Sequence, residues 1–195
     1  MKKIKISVKE KINKNEEALK KCFACLVKRG LENTTMRMLC DATKLSASSL
    51  YYRFGNKDGI IMYAAFYGLE NITIEAIEAV VKQVSDFDKL FLTIIKGVER
   101  RKRQIRLIYQ VASSPHYGEQ FCEQTRVLSP LYDNASKRIA ERLSCKEERI
   151  RPYLDFALST IRDFLLWNDK ERAKNQMRLI YEEMLKLRLQ GEKDG

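Results

Sequence analysis

Glycine and proline are scarce, with 8 and 3 among 195 residues, which leaves little of the turn chemistry that a many-stranded β fold consumes. Strand-like alternation is also rare, and from about residue 57 to 190 the apolar residues recur at helical spacing. The expected fold class is therefore all-α. The single histidine, His116, stands beside Pro115 at an expected helix boundary and reads as a loop residue rather than a metal ligand. No Gly-rich phosphate loop, no zinc spacing and no grouping of nucleophile, base and orienter is present, so no enzyme activity, cofactor or metal site is expected. An uninterrupted apolar run of membrane length and a signal-peptide pattern are both missing, which predicts a cytoplasmic chain with no membrane partner. Five cysteines, an odd number, argue against a disulfide framework. Cys22 and Cys25 form a C-x-x-C, but inside a predicted helix and without a second pair, and Cys40 reads as a small packing residue.

Positive charge is abundant and unevenly placed. Residues 1–60 carry 14 Lys+Arg against 6 Asp+Glu, whereas the rest carries 23 against 20. A basic excess concentrated in the first third suits a polyanion, because neutralising phosphates releases condensed counterions. Lys2, Lys3, Lys5, Lys9, Lys11 and Lys14 make residues 1–14 polybasic, and a flexible arm reaching the minor groove is the expectation.

The most informative stretch is TTMRMLCDATKLSASSLYYRFGNKDGII, starting at Thr34. Thr34 or Thr35 is a good N-cap, and Leu39, Cys40, Leu45, Leu50 and Phe54 are the apolar positions that lock one short helix across the next. The turn falls at Thr43-Lys44-Leu45, and Ser46 caps a second helix whose Leu50 and Phe54 share one inward face. Ala47, Ser48, Ser49, Tyr52 and Arg53 then point elsewhere. Small side chains at 47–49 allow approach to base edges, while Tyr51, Tyr52 and Arg53 offer donors to phosphate oxygens. Asn56 caps a third helix, whose first amides and Lys57 form another anion site.

At these residues the chain resembles the TetR family of transcriptional regulators. The family pattern Thr-x-Arg-x-Ile-Ala appears as Thr35, Arg37, Leu39 and Cys40; Ala-Gly-Val-Ser appears as Thr43, Lys44, Leu45 and Ser46; Leu-Tyr-x-x-Phe appears as Leu50, Tyr51 and Phe54; Ser-Lys-Glu appears as Asn56, Lys57 and Asp58. Leu19, Phe23, Leu26 and Gly30 match the amphipathic first helix and its glycine stop, so the motif covers about residues 14–61. Lys44 departs from the family's turn glycine, where φ is often positive. The resemblance implies a three-helix helix-turn-helix head over 1–56 and a helical effector-binding and dimerisation core over 57–195, about nine helices in all. It implies Thr35, Arg37, Ser46, Ala47, Ser48, Ser49, Tyr51, Tyr52, Arg53 and Lys57 as DNA contacts. The implied partners are a double-stranded DNA operator, a second copy of the chain and a small-molecule effector, with repression as the implied outcome.

Downstream, one helix is expected from Lys57 into the low eighties and another from about Leu90 to Ser113. Ser129-Pro130 reads either as a kink or as an N-cap with proline at the first helical position. Ser144 with Glu147 suggests a capping box for a helix reaching Trp167, and Asn168-Asp169 begin the last helix. Phe66, Phe91, Tyr109, Phe121, Tyr132 and Phe156 are candidates to line an effector pocket, although plain core is the commoner use of such residues. Leu158, Ile161, Leu165, Met177, Ile180, Tyr181 and Met184, on the stripes of the last two helices, are the expected dimer contacts. Two alternatives share the basic head: an architectural DNA-binding protein without a pocket, and a helical enzyme.

Overall fold

The computed structural model describes residues 8–191, with side chains over 9–186. The described residues form ten α-helices and two short 3-10 turns, with no strand among them. The helices are α1 (Val8–Lys14), α2 (Glu16–Arg29), α3 (Met36–Thr43), α4 (Ala47–Phe54), α5 (Lys57–Gln83), α6 (Phe87–Ala112), α7 (Gly118–Thr125), α8 (Ser129–Leu143), α9 (Arg151–Trp167) and α10 (Lys170–Gly191). They make two compact units: residues up to Ile72 with Arg103–Val127, and Thr73–Lys102 with the residues from Leu128 onward.

In the first unit, α2 packs on α3 and α3 on α4. Leu19, Cys22, Phe23 and Leu26 of α2, Leu39 of α3, and Leu50 and Phe54 of α4 are all buried, which is the inward stripe expected of each short helix. Their ends are set by side chains. The Met38 amide donates to Thr35 Oγ1 at 3.3 Å, the Ser49 amide to Ser46 Oγ at 3.1 Å, and the Gly59 amide to Asn56 Oδ1 at 2.8 Å. Each bond satisfies one of the four orphan amides that open a helix. Thr34, the other candidate cap, is buried instead and donates its hydroxyl to the Gly30 carbonyl at 2.7 Å. Ile60, Ile61, Ala64, Ala65 and Phe66 at the start of α5 are buried as well. Within α5 the division between the two compact units falls at 72/73.

The turn after α3 places Lys44 at φ 62°, ψ 26°. A left-handed L-residue costs about 1–2 kcal/mol, more than the roughly 0.5–1 kcal/mol of chain entropy that glycine loses on folding. Lys44→Gly should therefore stabilise the protein by about 0.5–1 kcal/mol in urea unfolding. The Thr43 hydroxyl eases the turn, donating to the Leu39 carbonyl at 2.8 Å and accepting from the Leu45 amide at 3.3 Å.

The second unit is a helical core in which α9 packs along α10 and on α8. Its centre is Val81, Val84, Leu90, Ile139, Leu143, Ile150, Tyr181 and Met184. Arg138 of α8 reaches Glu78 of α5 with both guanidinium ends, one at 2.9 Å, an exposed pair that solvent screens. Pro130 sits in the first turn of α8 and Pro152 in the first turn of α9, where the missing amide costs nothing. Neither reading of Ser129-Pro130 is met in full: the N-cap is Leu128, without a side-chain cap bond, Ser129 is the first helical residue and Pro130 the second.

Three expectations need correction. Ser144 is not the cap of a box but the left-handed residue that ends α8, at φ 53°, and a 3-10 turn over Glu147–Arg149 precedes α9. The Cys145 amide donates back to the Ala140 carbonyl at 3.1 Å, so the helix end uses the backbone there. The polybasic arm is helical from Val8, and Ile12 of α1 is buried; Lys2, Lys3 and Lys5 lie outside the described residues. Finally, α5 is long and apolar enough, at a mean hydropathy of 1.2, to meet the length and composition of a membrane span. Its buried Ile60, Ile61, Ala64, Ala65, Phe66 and Val81 show that its apolar surface is spent on the protein's own cores.

Candidate nucleic-acid interface

Because Leu50 and Phe54 turn inward, α4 presents its opposite side. Ser46, Ser48, Tyr51 and Tyr52 are exposed, Ala47, Ser49 and Arg53 are half-buried, and Tyr52 at 93% exposure has almost no intramolecular contact. The hydroxyls of Ser46 and Ser48 lie 3.0 Å apart. Such a surface, small and hydroxylic at its first turn and aromatic and cationic at its last, can put donors and acceptors against base edges and phosphates together. Thr35 and Arg37 are exposed on α3, and Lys57 is half-buried in the first turn of α5. The expected DNA residues thus all lie on or beside three capped helix starts.

Two features of this surface escaped the sequence reading. Arg53 is held: its Nη1 donates to Asn15 Oδ1 at 3.1 Å, and Asn15 Nδ2 donates to the Lys11 carbonyl at 2.8 Å. Asn15 lies 38 residues upstream, so no local pattern could have linked them. Lys44, exposed at the turn, adds a cation directly between α3 and α4. The helix α1 is anchored by Lys11, whose Nζ stands 4.6 Å from the Tyr63 ring centre, and by Lys9, 3.8 Å from Glu70.

The start of α5 is tied from another side. His116 Nε2 lies 3.0 Å from Asp58 Oδ2, and the Tyr117 hydroxyl donates to Asp58 Oδ1 at 3.0 Å. His116 is an exposed loop residue, as expected, but a paired one. The His116 hydrogen bond, aided by Tyr117, lowers the Asp58 carboxyl from its ordinary value, while burial and the same bond push the Tyr117 phenol up to about 12. A carboxyl more acidic in the folded than in the unfolded chain contributes stability that is complete above about pH 4 and is lost as pH falls through the lowered value. Thermal melts of the parent and of Asp58→Asn should accordingly differ at pH 6 and draw together toward pH 3.

Among the described residues no group of three or more His, Cys, Asp or Glu is placed to hold a metal ion. Burial of Cys22 pushes its thiol up to about 12, and the Cys25 thiol lies 3.8 Å from the Met38 carbonyl, so both serve the α2–α3 packing.

The structure does not gather the six aromatic candidates for an effector pocket. Phe66, Phe91 and Phe121 are packed in the cores, Tyr132 is half-buried with its hydroxyl 3.5 Å from Thr73, and Tyr109 and Phe156 are exposed. The expected dimer residues also divide. Leu165, Met177, Tyr181 and Met184 are buried in the chain's own core, Ile161 and Ile180 are half-buried, and Leu158 is exposed. Among the described residues, the large apolar side chains left outward on α9 and α10 are Phe156, Leu158, Leu166, Trp167 and Leu179. Helical spacing located the stripe but not which side of it faced in.

The model of the bacterial regulatory proteins, tetR family, matches residues 19–64, the segment from α2 into α5. Residues 19–64 are thus similar to the DNA-binding segment of that family. A crystal structure from Mesorhizobium loti MAFF303099, assigned to the TetR-family transcriptional regulators, has the same fold with a TM-score of 0.60 at 15% identity, over 90% of this chain and 96% of that one. Among proteins with curated descriptions, none matches the sequence. That match and the all-α fold support a DNA-binding transcriptional regulator with a helix-turn-helix head.

Proposed function

We propose that this chain works in the cytoplasm as a homodimeric repressor, each subunit holding α4 in a major groove of a pseudo-palindromic operator and releasing it when a small effector binds. Residues 1–56 carry the DNA contacts, and 57–195 carry effector binding and dimerisation. The observation that carries the reading is the outward face of α4: an almost fully exposed Tyr52 beside exposed Ser48 and a tethered Arg53, on a helix capped by Ser46. Two such helices related by a twofold axis require half-sites about one helical turn, or a multiple of it, apart. The exposed Leu158, Leu166, Trp167 and Leu179 on α9 and α10 support the pairing, because a second copy would cover them.

Selection of binding sites from random duplexes tests this function. A pseudo-palindrome is expected; a bias for A·T-rich shape alone would mark an architectural protein, and no enrichment would point to a helical enzyme. Within the selected site, Thr35, Arg37, Tyr51, Tyr52, Arg53 and Lys57 act mainly on the backbone and Ala47, Ser48 and Ser49 on bases. Lys57→Ala should weaken all sequences alike and lower the slope of log affinity against log salt by about one. Ser49→Ala should instead change the sequence preferred. A shifted preference with an intact salt slope in Lys57→Ala would reverse the assignment.

A further inference from the structure

The helix α1 lies upstream of residues 19–64, the segment similar to the tetR family, yet it is built into the first unit. Ile12 is buried, Lys11 stands over the Tyr63 ring and Lys9 faces Glu70. Its last residue, Lys14, is followed at once by Asn15, the N-cap of α2.

Asn15 does not do what its position suggests. An asparagine at an N-cap ordinarily accepts from a nearby amide of its own helix, as Thr35 and Ser46 do. The Asn15 side chain makes no such bond. Its carboxamide is turned to two other groups: Oδ1 accepts from Arg53 Nη1 at 3.1 Å, and Nδ2 donates to the Lys11 carbonyl at 2.8 Å. A guanidinium can only donate and a carbonyl can only accept, so the carboxamide fits in one orientation alone. The backbone of α1 therefore fixes the amide, and the amide fixes the guanidinium. Arg53 stands in the last turn of α4 and, four residues after Ser49, shares that residue's side of the helix. A guanidinium carries several N–H donors in a planar fork, and one given to Asn15 leaves others for a phosphate oxygen. A free arginine loses its rotamer freedom when it binds, whereas one already held loses less.

We propose that Asn15 is a positioning residue of the DNA reader: anchored by α1, it presets the Arg53 guanidinium for an operator phosphate. This role rests on the DNA-binding reading; the tether itself does not.

Asn15→Ser isolates the role, because serine caps a helix as well as asparagine does but is shorter than the side chain that now reaches Arg53. The variant is expected to melt at or above the parent's temperature. In the free protein the Arg53 Nε–Hε order parameter, high in the parent by NMR relaxation, should fall in Asn15→Ser. Against the operator selected from random duplexes, Asn15→Ser should lose about two- to tenfold in affinity with the slope of log affinity against log salt unchanged, since the cation is still present. Arg53→Ala should instead lower that slope by about one, and in its background Asn15→Ser should change affinity no further. Full affinity in Asn15→Ser, tighter binding, or the same loss with and without Arg53 would each overturn the assignment, tighter binding by making Asn15 a latch that holds Arg53 back from DNA. The relaxation measurement needs no DNA, so an Arg53 as mobile in the parent as in the variant removes the tether whatever the chain binds. A rigid Arg53 in a parent that selects no operator would sink the DNA-binding reading, and this role with it.

Discussion

Leu166→Asp combined with Leu179→Asp should leave the chain folded, make it monomeric at micromolar concentration, and abolish binding to a full operator. Both leucines are about two-thirds exposed, at 67% and 65%, so neither substitution removes core packing. In a dimer they are covered, and an unpaired charge there costs several kcal/mol of association. Losing the second head also removes half of the contacts, and the affinity for two half-sites with them. Met184→Asp makes the contrast. Met184 lies in the core with Val81, Leu90 and Ile139, and a charge placed there should unfold the second unit before any question of pairing arises. Sedimentation and circular dichroism on both variants separate the two effects. A monomeric parent, or a double variant that binds operator normally, would exclude pairing through this face.

Gly68→Leu should destabilise the first unit by about 3 kcal/mol or more. A Cβ at Gly68 would come within 2.2, 2.4 and 2.6 Å of three carbons at the tip of the Phe23 ring. Phe23 is itself buried on α2, so the ring has little room to give. Glycine is required here for close approach between helices rather than for a turn, and it carries the usual cost of about 1 kcal/mol relative to alanine in a helix. Gly68→Ala regains that amount and loses about 1–3 kcal/mol to overpacking, a net loss that should shrink in a Phe23→Leu background. Equal losses in both backgrounds would show that the two residues are not coupled.

The reader was legible because its chemistry is local. Thr35, Ser46 and Asn56 each satisfy an amide three residues on, and a bond of that span is written in consecutive residues. The positive φ at Lys44 follows from the turn it must close. What could not be seen depends on chain brought from afar: Asn15 holding Arg53, and Asp58 bridging to His116 and Tyr117. Stripes on α9 and α10 gave the right period, yet Met177 and Leu179, two residues apart, face core and solvent respectively. A helix carrying apolar residues around much of its circumference does not declare which arc is its own core. Ser144 failed as a cap for a related reason, since its spacing to Glu147 fits a box while the backbone there closes the preceding helix.

The five thiols differ in ways that matter to anyone wishing to watch this protein work. Cys22 is buried, with its thiol pushed up to about 12, and Cys25 and Cys145 are half-buried and raised by desolvation. Cys40 is half-buried at the crossing of the reader's helices, and Cys122 alone stands exposed. Since the thiolate is the nucleophile, a maleimide dye at neutral pH should go first to Cys122. That residue sits on α7, so the unaltered sequence already carries one accessible place for a fluorophore in the first unit.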